Sequence, residues 1–164
     1  NLDYIGFRYF NVFGKKQSPK GDYAAVIPKF IQKLINIQSP EIYGDGTYSR
    51  DFTYVENVIQ INILAMTTEN SKAVNQIYNV AVGQNTSLND LVGYIKEVIK
   101  DTTNINVNNI KAVYSDFRHG DIPHSLASIK KAQDLLNYSP IYTLKDGLKE
   151  SINWYLNKFK ITDE

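Results

Sequence analysis

The chain has 164 residues, 43% of them apolar, no cysteine, and 18 Lys and Arg against 17 Asp and Glu, for a net charge of +1. That profile describes a folded domain, or part of a larger one, rather than a disordered segment. It excludes a disulfide framework and a thiolate metal site, gives no global basic field for nucleic acid or an anionic membrane, and holds no apolar run near the roughly 20 residues of a membrane span. The N-terminal residues resemble neither a signal nor a transit peptide, so a cytoplasmic location is expected.

In chain order, Tyr4 to Phe13 is dense in aromatic and β-branched residues and reads as a buried strand closed by Gly14. It stands at the very start, with no cap or turn ahead of it, so we expect the sequence to be part of a longer one. Lys15 to Tyr23 is a loop. Val26, Ile27, Phe30, Ile31, Leu34 and Ile35 recur at helical spacing, with Pro28 tolerated in the first turn. Glu41–Tyr43 and Arg50–Tyr54 read as short strands joined by a hairpin-like turn at Gly44-Asp45-Gly46. A helix from about Val55 to Thr68 follows, and Gln76–Val82 is a second buried strand. Ser87-Leu88-Asn89-Asp90 has the form of a capping box ahead of Leu91, Val92, Ile95, Val98 and Ile99. Ile110–Tyr114 is a strand and a polar loop runs through Ser125. Helices at about Leu126–Leu136 and Thr143–Phe159 complete the chain, the last opened by Thr143-Leu144-Lys145-Asp146. Strands alternating with helices indicate an α/β fold.

The three arginines, Arg8, Arg50 and Arg118, stand out against fifteen lysines. A planar guanidinium serves where bidentate geometry matters, in an anion site or a buried ion pair. All three fall in segments that combine special backbone residues with polar groups, Arg8 at the head of Arg8–Gly14. Asn11 ends the first strand, where ligands bind in open α/β sheets, and its amide can meet a sugar hydroxyl or close the strand on backbone. Tyr23 to Pro28 opens a helix with free amides. In Ile42 to Val55, Tyr43 precedes a glycine turn and Arg50-Asp51 opens the returning segment, so Tyr43 can stack on a base while Arg50 grips a pyrophosphate, or both can serve an Arg50–Asp51 hairpin network. In Arg118 to Ser125, Arg118 and Asp121 flank Gly120, and His119 and His124 lack the further ligand that a zinc site needs. Ser125 also fits a helix N-cap.

Together and in this order, the segments Arg8–Gly14, Ala24–Phe30, Ser49–Val55 and Arg118–Ser125 resemble the second half of the extended short-chain dehydrogenase/reductase family, most nearly its UDP-N-acetylglucosamine 4-epimerase branch. The resemblance implies residues 1–164 as the end of a Rossmann sheet plus a nucleotide-sugar domain, without the NAD-binding half. It places Asn11 on the sugar or diphosphate, Ala25 and Val26 at the uracil with Tyr43 beside the base, and Arg50 and Arg118 on the diphosphate. Asp121 would hold the ribose, Gln17 and Ser125 the sugar, and Tyr9 the NAD side. It also implies a homodimeric parent enzyme and a place in polysaccharide biosynthesis. No Gly-x-x-Gly-x-x-Gly turn and no Tyr followed four positions later by Lys occurs, so the family's NAD fingerprint and catalytic pair are absent and the chain alone is expected to be inactive. A UDP-sugar decarboxylase or dehydratase, or a stand-alone nucleotide-sugar-binding module, are the rival readings.

Overall fold

The computed structural model describes residues 2–21 and 24–158. Its strands are β1 (Ile5–Tyr9), β2 (Val12–Phe13), β3 (Glu41–Tyr43), β4 (Ser49–Arg50), β5 (Thr53–Tyr54), β6 (Gln76–Val80), β7 (Thr86–Ser87), β8 (Val113–Ser115) and β9 (His124–Ser125). The helices are α1 (Val26–Ile35), α2 (Val55–Thr67), α3 (Leu88–Thr102), α4 (Lys130–Leu136) and α5 (Leu144–Lys158). Among the described residues no helix is long and apolar enough to cross a membrane.

The sheets are short and mostly parallel, as expected of an α/β chain. β1 pairs with β6 from Ile5↔Gln76 to Tyr9↔Val80, β2 with β5, and β3 with β8, all parallel. β4 lies between antiparallel β7 and parallel β9, with Arg50 opposite Ser125. Two apolar cores result. The larger joins α1, α3 and α5 through Ile31, Leu34, Ile95, Ile99, Leu148 and Ile152. The smaller gathers Ile61, Tyr78, Val80, Leu136 and Tyr138 between β6, α2 and α4.

Local sequence explains the helices. α1 buries the stripe Ile27, Phe30, Ile31, Leu34 and Ile35, with Pro28 in its first turn. It ends in a Schellman arrangement, Ile37 N–H to Leu34 C=O and Gln38 N–H to Lys33 C=O. At α3, Ser87 accepts from the Asp90 amide at 3.0 Å and donates to its carboxylate at 2.6 Å. Thr143 and Asp146 repeat the exchange at α5. Phe159 lies outside the described residues.

Several elements differ from expectation. The first strand is two: the chain turns at Asn11, whose φ of 38° is left-handed, and passes from β6 to β5 as its partner. Nor is β1 buried; Arg8 and Tyr9 are exposed, because β6 covers one edge and no described strand covers the other. The strand expected at Gln76–Val82 ends at Val80, and the one expected at Ile110–Tyr114 is Val113–Ser115. α4 begins only at Lys130, after His124–Ser125 pair with β4 and the Ala127 amide bonds to Asp51. Gly44-Asp45-Gly46 does not close a hairpin. Asn89 packs where a Gly46 side chain would lie and donates to the Asp45 carbonyl, so the turn docks on α3 and sends β3 to β8 and β4 to β7 and β9. Gly46 has a φ of 79°, which glycine adopts without strain.

Candidate functional site

One cavity of about 160 Å³ is walled by Asn11, Val26, Tyr43, Arg50, Arg118 and Asp121, residues from all four chemistry-bearing segments. Apolar walls come from Phe30, Ile42, Phe52 and Leu88. A second cavity of about 320 Å³ shares Val26, Phe30, Glu41, Tyr43 and Arg118 with it and adds Lys29 and Lys33 of α1. A base-sized apolar slot therefore adjoins several cations.

Arg50 is half-buried. Its Nη1 donates to the carbonyls of Ser49 at 2.9 Å and Pro123 at 3.2 Å, which fixes the guanidinium plane at the cavity wall. Arg118 is exposed, and its guanidinium lies 3.7 Å from the centre of the Tyr43 ring, a cation–π stack. Neither arginine forms an ion pair with a described acidic residue, so each keeps its charge available to an anion. The first turn of α1 has no side-chain cap at Ala25, so its leading amides face outward beside Val26.

Asn11 donates its Nδ2 to the Asp51 carbonyl at 3.1 Å, so its amide closes the strand on backbone and leaves the side-chain oxygen. Asp121 is exposed at the rim, its amide turned to the Arg118 carbonyl. Gln17 is outside the cavity wall. Its Nε2 reaches the Val12 carbonyl at 3.3 Å, its carbonyl accepts from the Tyr155 hydroxyl, and its buried Oε1 has no partner among the described residues. Burial pushes the Tyr155 phenol up to about 12, so it remains a donor. Ser125 is in β9, beside Arg50, and not at a helix start: the N-cap of α4 is Ile129. Tyr23 lies outside the described residues. Tyr9 is half-exposed at the end of β1, its hydroxyl accepting from Asn62 at 3.3 Å.

Two expectations fail. The Arg50–Asp51 network does not exist: Asp51 is fully buried and turns to the backbone amides of Val82 and Gly83, each at 3.0 Å, and Ala127 at 3.4 Å. Burial raises its carboxyl above the usual range, and the Val82, Ala127 and Gly83 amides pull it partly back. Arg8 is exposed with no described acidic partner, so the structural ion pair has no basis there. Sequence reasoning also missed Lys29, Lys33 and Glu41. The lysines recur four apart on the helix that begins at Val26, a signal that was available. Glu41 accepts from the Ser115 hydroxyl at 2.6 Å, a cross-strand contact that depends on the β3–β8 pairing.

Residues 1–81 match the model of the NAD dependent epimerase/dehydratase family. The chain is 40% identical to the UDP-N-acetylglucosamine 4-epimerase from Methanobrevibacter ruminantium, solved in complex with UDP-N-acetylmuramic acid; the superposition has a TM-score of 0.84 and covers 96% of this chain and 47% of that one. The chain belongs to this family. It is 38% identical over 156 residues to a putative UDP-glucose 4-epimerase of Methanocaldococcus jannaschii, covering 95% of this chain and 47% of the relative. It is also 31% identical over 154 residues to a UDP-N-acetyl-alpha-D-glucosaminuronate decarboxylase of Bacillus cytotoxicus, covering 90% and 44%. The chain thus spans about half the length of the curated relatives it matches, as a mixed α/β part of an extended Rossmann-type fold. Relatives of this kind act on UDP-sugars as epimerases or decarboxylases, and NAD is the family's cofactor. The sequence holds no Gly-x-x-Gly-x-x-Gly turn for the pyrophosphate of NAD.

Proposed function

We propose that this chain binds and orients a UDP-sugar within an NAD-dependent nucleotide-sugar 4-epimerase, with UDP-N-acetylglucosamine or UDP-N-acetylgalactosamine as the substrate. The observation that carries the reading is the single cavity into which Asn11, Val26, Tyr43, Arg50, Arg118 and Asp121 converge from distant segments. Arg50 and Arg118 grip the diphosphate, whose two negative groups suit guanidinium forks that no described carboxylate neutralises. Arg118 leaves the Tyr43 ring to do so, and the exposed face of Tyr43 receives the base while Ala25 and Val26 present backbone to the uracil carbonyls. Asp121 accepts from the ribose hydroxyls. Asn11, the unpaired Gln17 oxygen and Ser125 border the sugar, and Tyr9 faces the cofactor.

In such an enzyme NAD supplies the hydride acceptor and donor. The residues here hold the sugar in place, which lowers the barrier by fixing orientation. On this reading residues 1–164 are the end of a Rossmann sheet and the substrate domain of a cytoplasmic, homodimeric enzyme about twice this length, in polysaccharide biosynthesis, and the chain alone performs no turnover. The likeness to a uronate decarboxylase favours a second reading, in which Arg118 also meets a sugar carboxylate. NMR titration with UDP-N-acetylglucosamine tests the site: shifts should centre on Arg50, Arg118 and Asp121. Shifts confined to residues outside the cavity would refute it. UDP-N-acetylglucosaminuronate binding more tightly would favour the second reading.

A further inference from the structure

The candidate residues come from separated segments, and several of the hydrogen bonds that join those segments meet at Asp51. Its carbonyl accepts from Asn11 Nδ2 at 3.1 Å. Its amide donates to the Ser125 carbonyl at 2.9 Å. Its carboxylate accepts from the amides of Val82, Gly83 and Ala127, which ties the segment after β6 and the segment after β9 to the end of β4. The polar groups of this fully buried residue thus pin three other pieces of the chain, at Asn11, at Val82 and Gly83, and at Ser125 and Ala127. Its neighbour Arg50 depends on the same ties, because Nη1 rests on the Pro123 carbonyl, two residues before Ser125. Ser49 N–H reaches that carbonyl too, at 2.9 Å.

We infer that Asp51 is a positioning residue for ligand binding, a clamp that holds β9 against β4 so that the Arg50 guanidinium keeps its orientation in the cavity. The inference rests on the function proposed above. A charged carboxylate suits this role because its two oxygens serve three amides at once, whereas Asn would turn an N–H₂ toward one of them. The desolvation of a buried charge disfavours Asp51 for simple packing, so its benefit lies in the geometry it fixes.

The test uses this chain with UDP as the probe, in wild type, Asp51→Asn and Asn57→Ala. Asn57 is equally buried and bonds the backbone of Ile141 and Tyr142, away from the cavity wall, so it matches the loss of buried polar contacts alone. Asp51→Asn should speed hydrogen exchange at the Val82, Gly83 and Ala127 amides and weaken UDP binding about tenfold or more, at a temperature where circular dichroism shows it folded. Asn57→Ala should lower the melting temperature and leave UDP affinity within about twofold. A folded Asp51→Asn chain with wild-type affinity, or an equal loss from Asn57→Ala, overturns the inference. Failure of the wild-type chain to bind UDP would instead refute the proposed function, and the exchange at the three amides would still decide whether the clamp exists. Should Asp51→Asn not fold, Asp51→Glu, which displaces the carboxylate by one methylene, is judged by the same affinity criterion.

Discussion

The core around α1, α3 and α5 and the core around β6, α2 and α4 are closed to different degrees. In the first, three helices converge from different sides and Ile31, Leu34, Ile95, Ile99, Leu148 and Ile152 are all fully buried. In the second, Ile61 and Tyr78 are buried, yet α2 exposes Ile59, Ile63 and Met66 at 46, 50 and 77%, and Tyr4 before β1 and Ile77 of β6 are exposed as well. An apolar face of that kind marks a surface that packs against something else. The closed region supports the cavity, with Val26 and Phe30 of α1 and Leu88 of α3 in its wall. The open region carries the β1–β6 sheet, and on the proposed function it is the side that meets the cofactor-binding part. Stability is internal to the first region, whereas the outward side chains of the second contribute little to the chain alone.

Truncation gives the largest contrast. Ile95→Ala should cost about 2–5 kcal/mol in urea denaturation, since it empties a filled site. Ile63→Ala, on the open face, should stay within about 0.5 kcal/mol. Equal costs would erase the distinction. Gly147→Ala sharpens it: alanine favours a helix by about 1 kcal/mol, yet a Cβ here would lie 2.7 Å from Tyr54 and 2.8 Å from Phe13. The close packing of α5 should prevail, with a net loss of about 1–3 kcal/mol. A gain in stability would mean that α5 can shift, and that the closed region is looser than its burial indicates.

The helices of the closed region are legible in the sequence because their determinants are local. The stripe of α1, the Ser87–Asp90 box and the Thr143–Asp146 box each lie within a few residues. Strand partners are not, because pairing joins residues far apart: Arg50 meets Ser125 and Glu41 meets Val113 across more than seventy residues. That is why the sequence suggests a hairpin where β3 and β4 part, and why Ser125 fits a helix cap by its neighbours alone. For the site, polar and aromatic residues at special turns point to Asn11, Tyr43, Arg50, Arg118 and Asp121, and the family resemblance adds Val26; all six are among the residues that line the cavity. Asp51 reads from the sequence as a partner of Arg50, because nothing in a single sequence reveals that a carboxylate will face backbone amides. The strained Asn11 at the head of β2 likewise becomes visible only with its φ of 38°.

Smaller effects should follow from the ends of the helices. Ile37 holds a φ of 56° at the Schellman position after α1, a conformation that costs a β-branched residue energy, and its side chain is 66% exposed. Ile37→Gly should therefore raise stability by about 0.5–1 kcal/mol, and a loss would show that its side chain packs after all. At α5, hydrogen bonds from the Thr143 hydroxyl and amide hold the Asp146 carboxyl below its ordinary 3.8. A depressed folded-state value contributes stability above the unfolded value and loses it as pH falls through the folded one. The acid limb of the melting curve should thus be slightly shallower in Asp146→Asn than in wild type, the group being largely solvated; an identical limb would remove the Asp146 contribution.

On the proposed function, Arg50 and Arg118 hold a diphosphate in a cradle this chain builds. Calorimetric titration of UDP into the wild-type chain, Arg50→Lys and Arg118→Lys tests that directly. Wild type should bind, and each substitution should weaken binding by about 1–3 kcal/mol, since a point charge replaces a bidentate fork. Binding to wild type with unchanged affinity in both variants would contradict a diphosphate cradle at these two arginines.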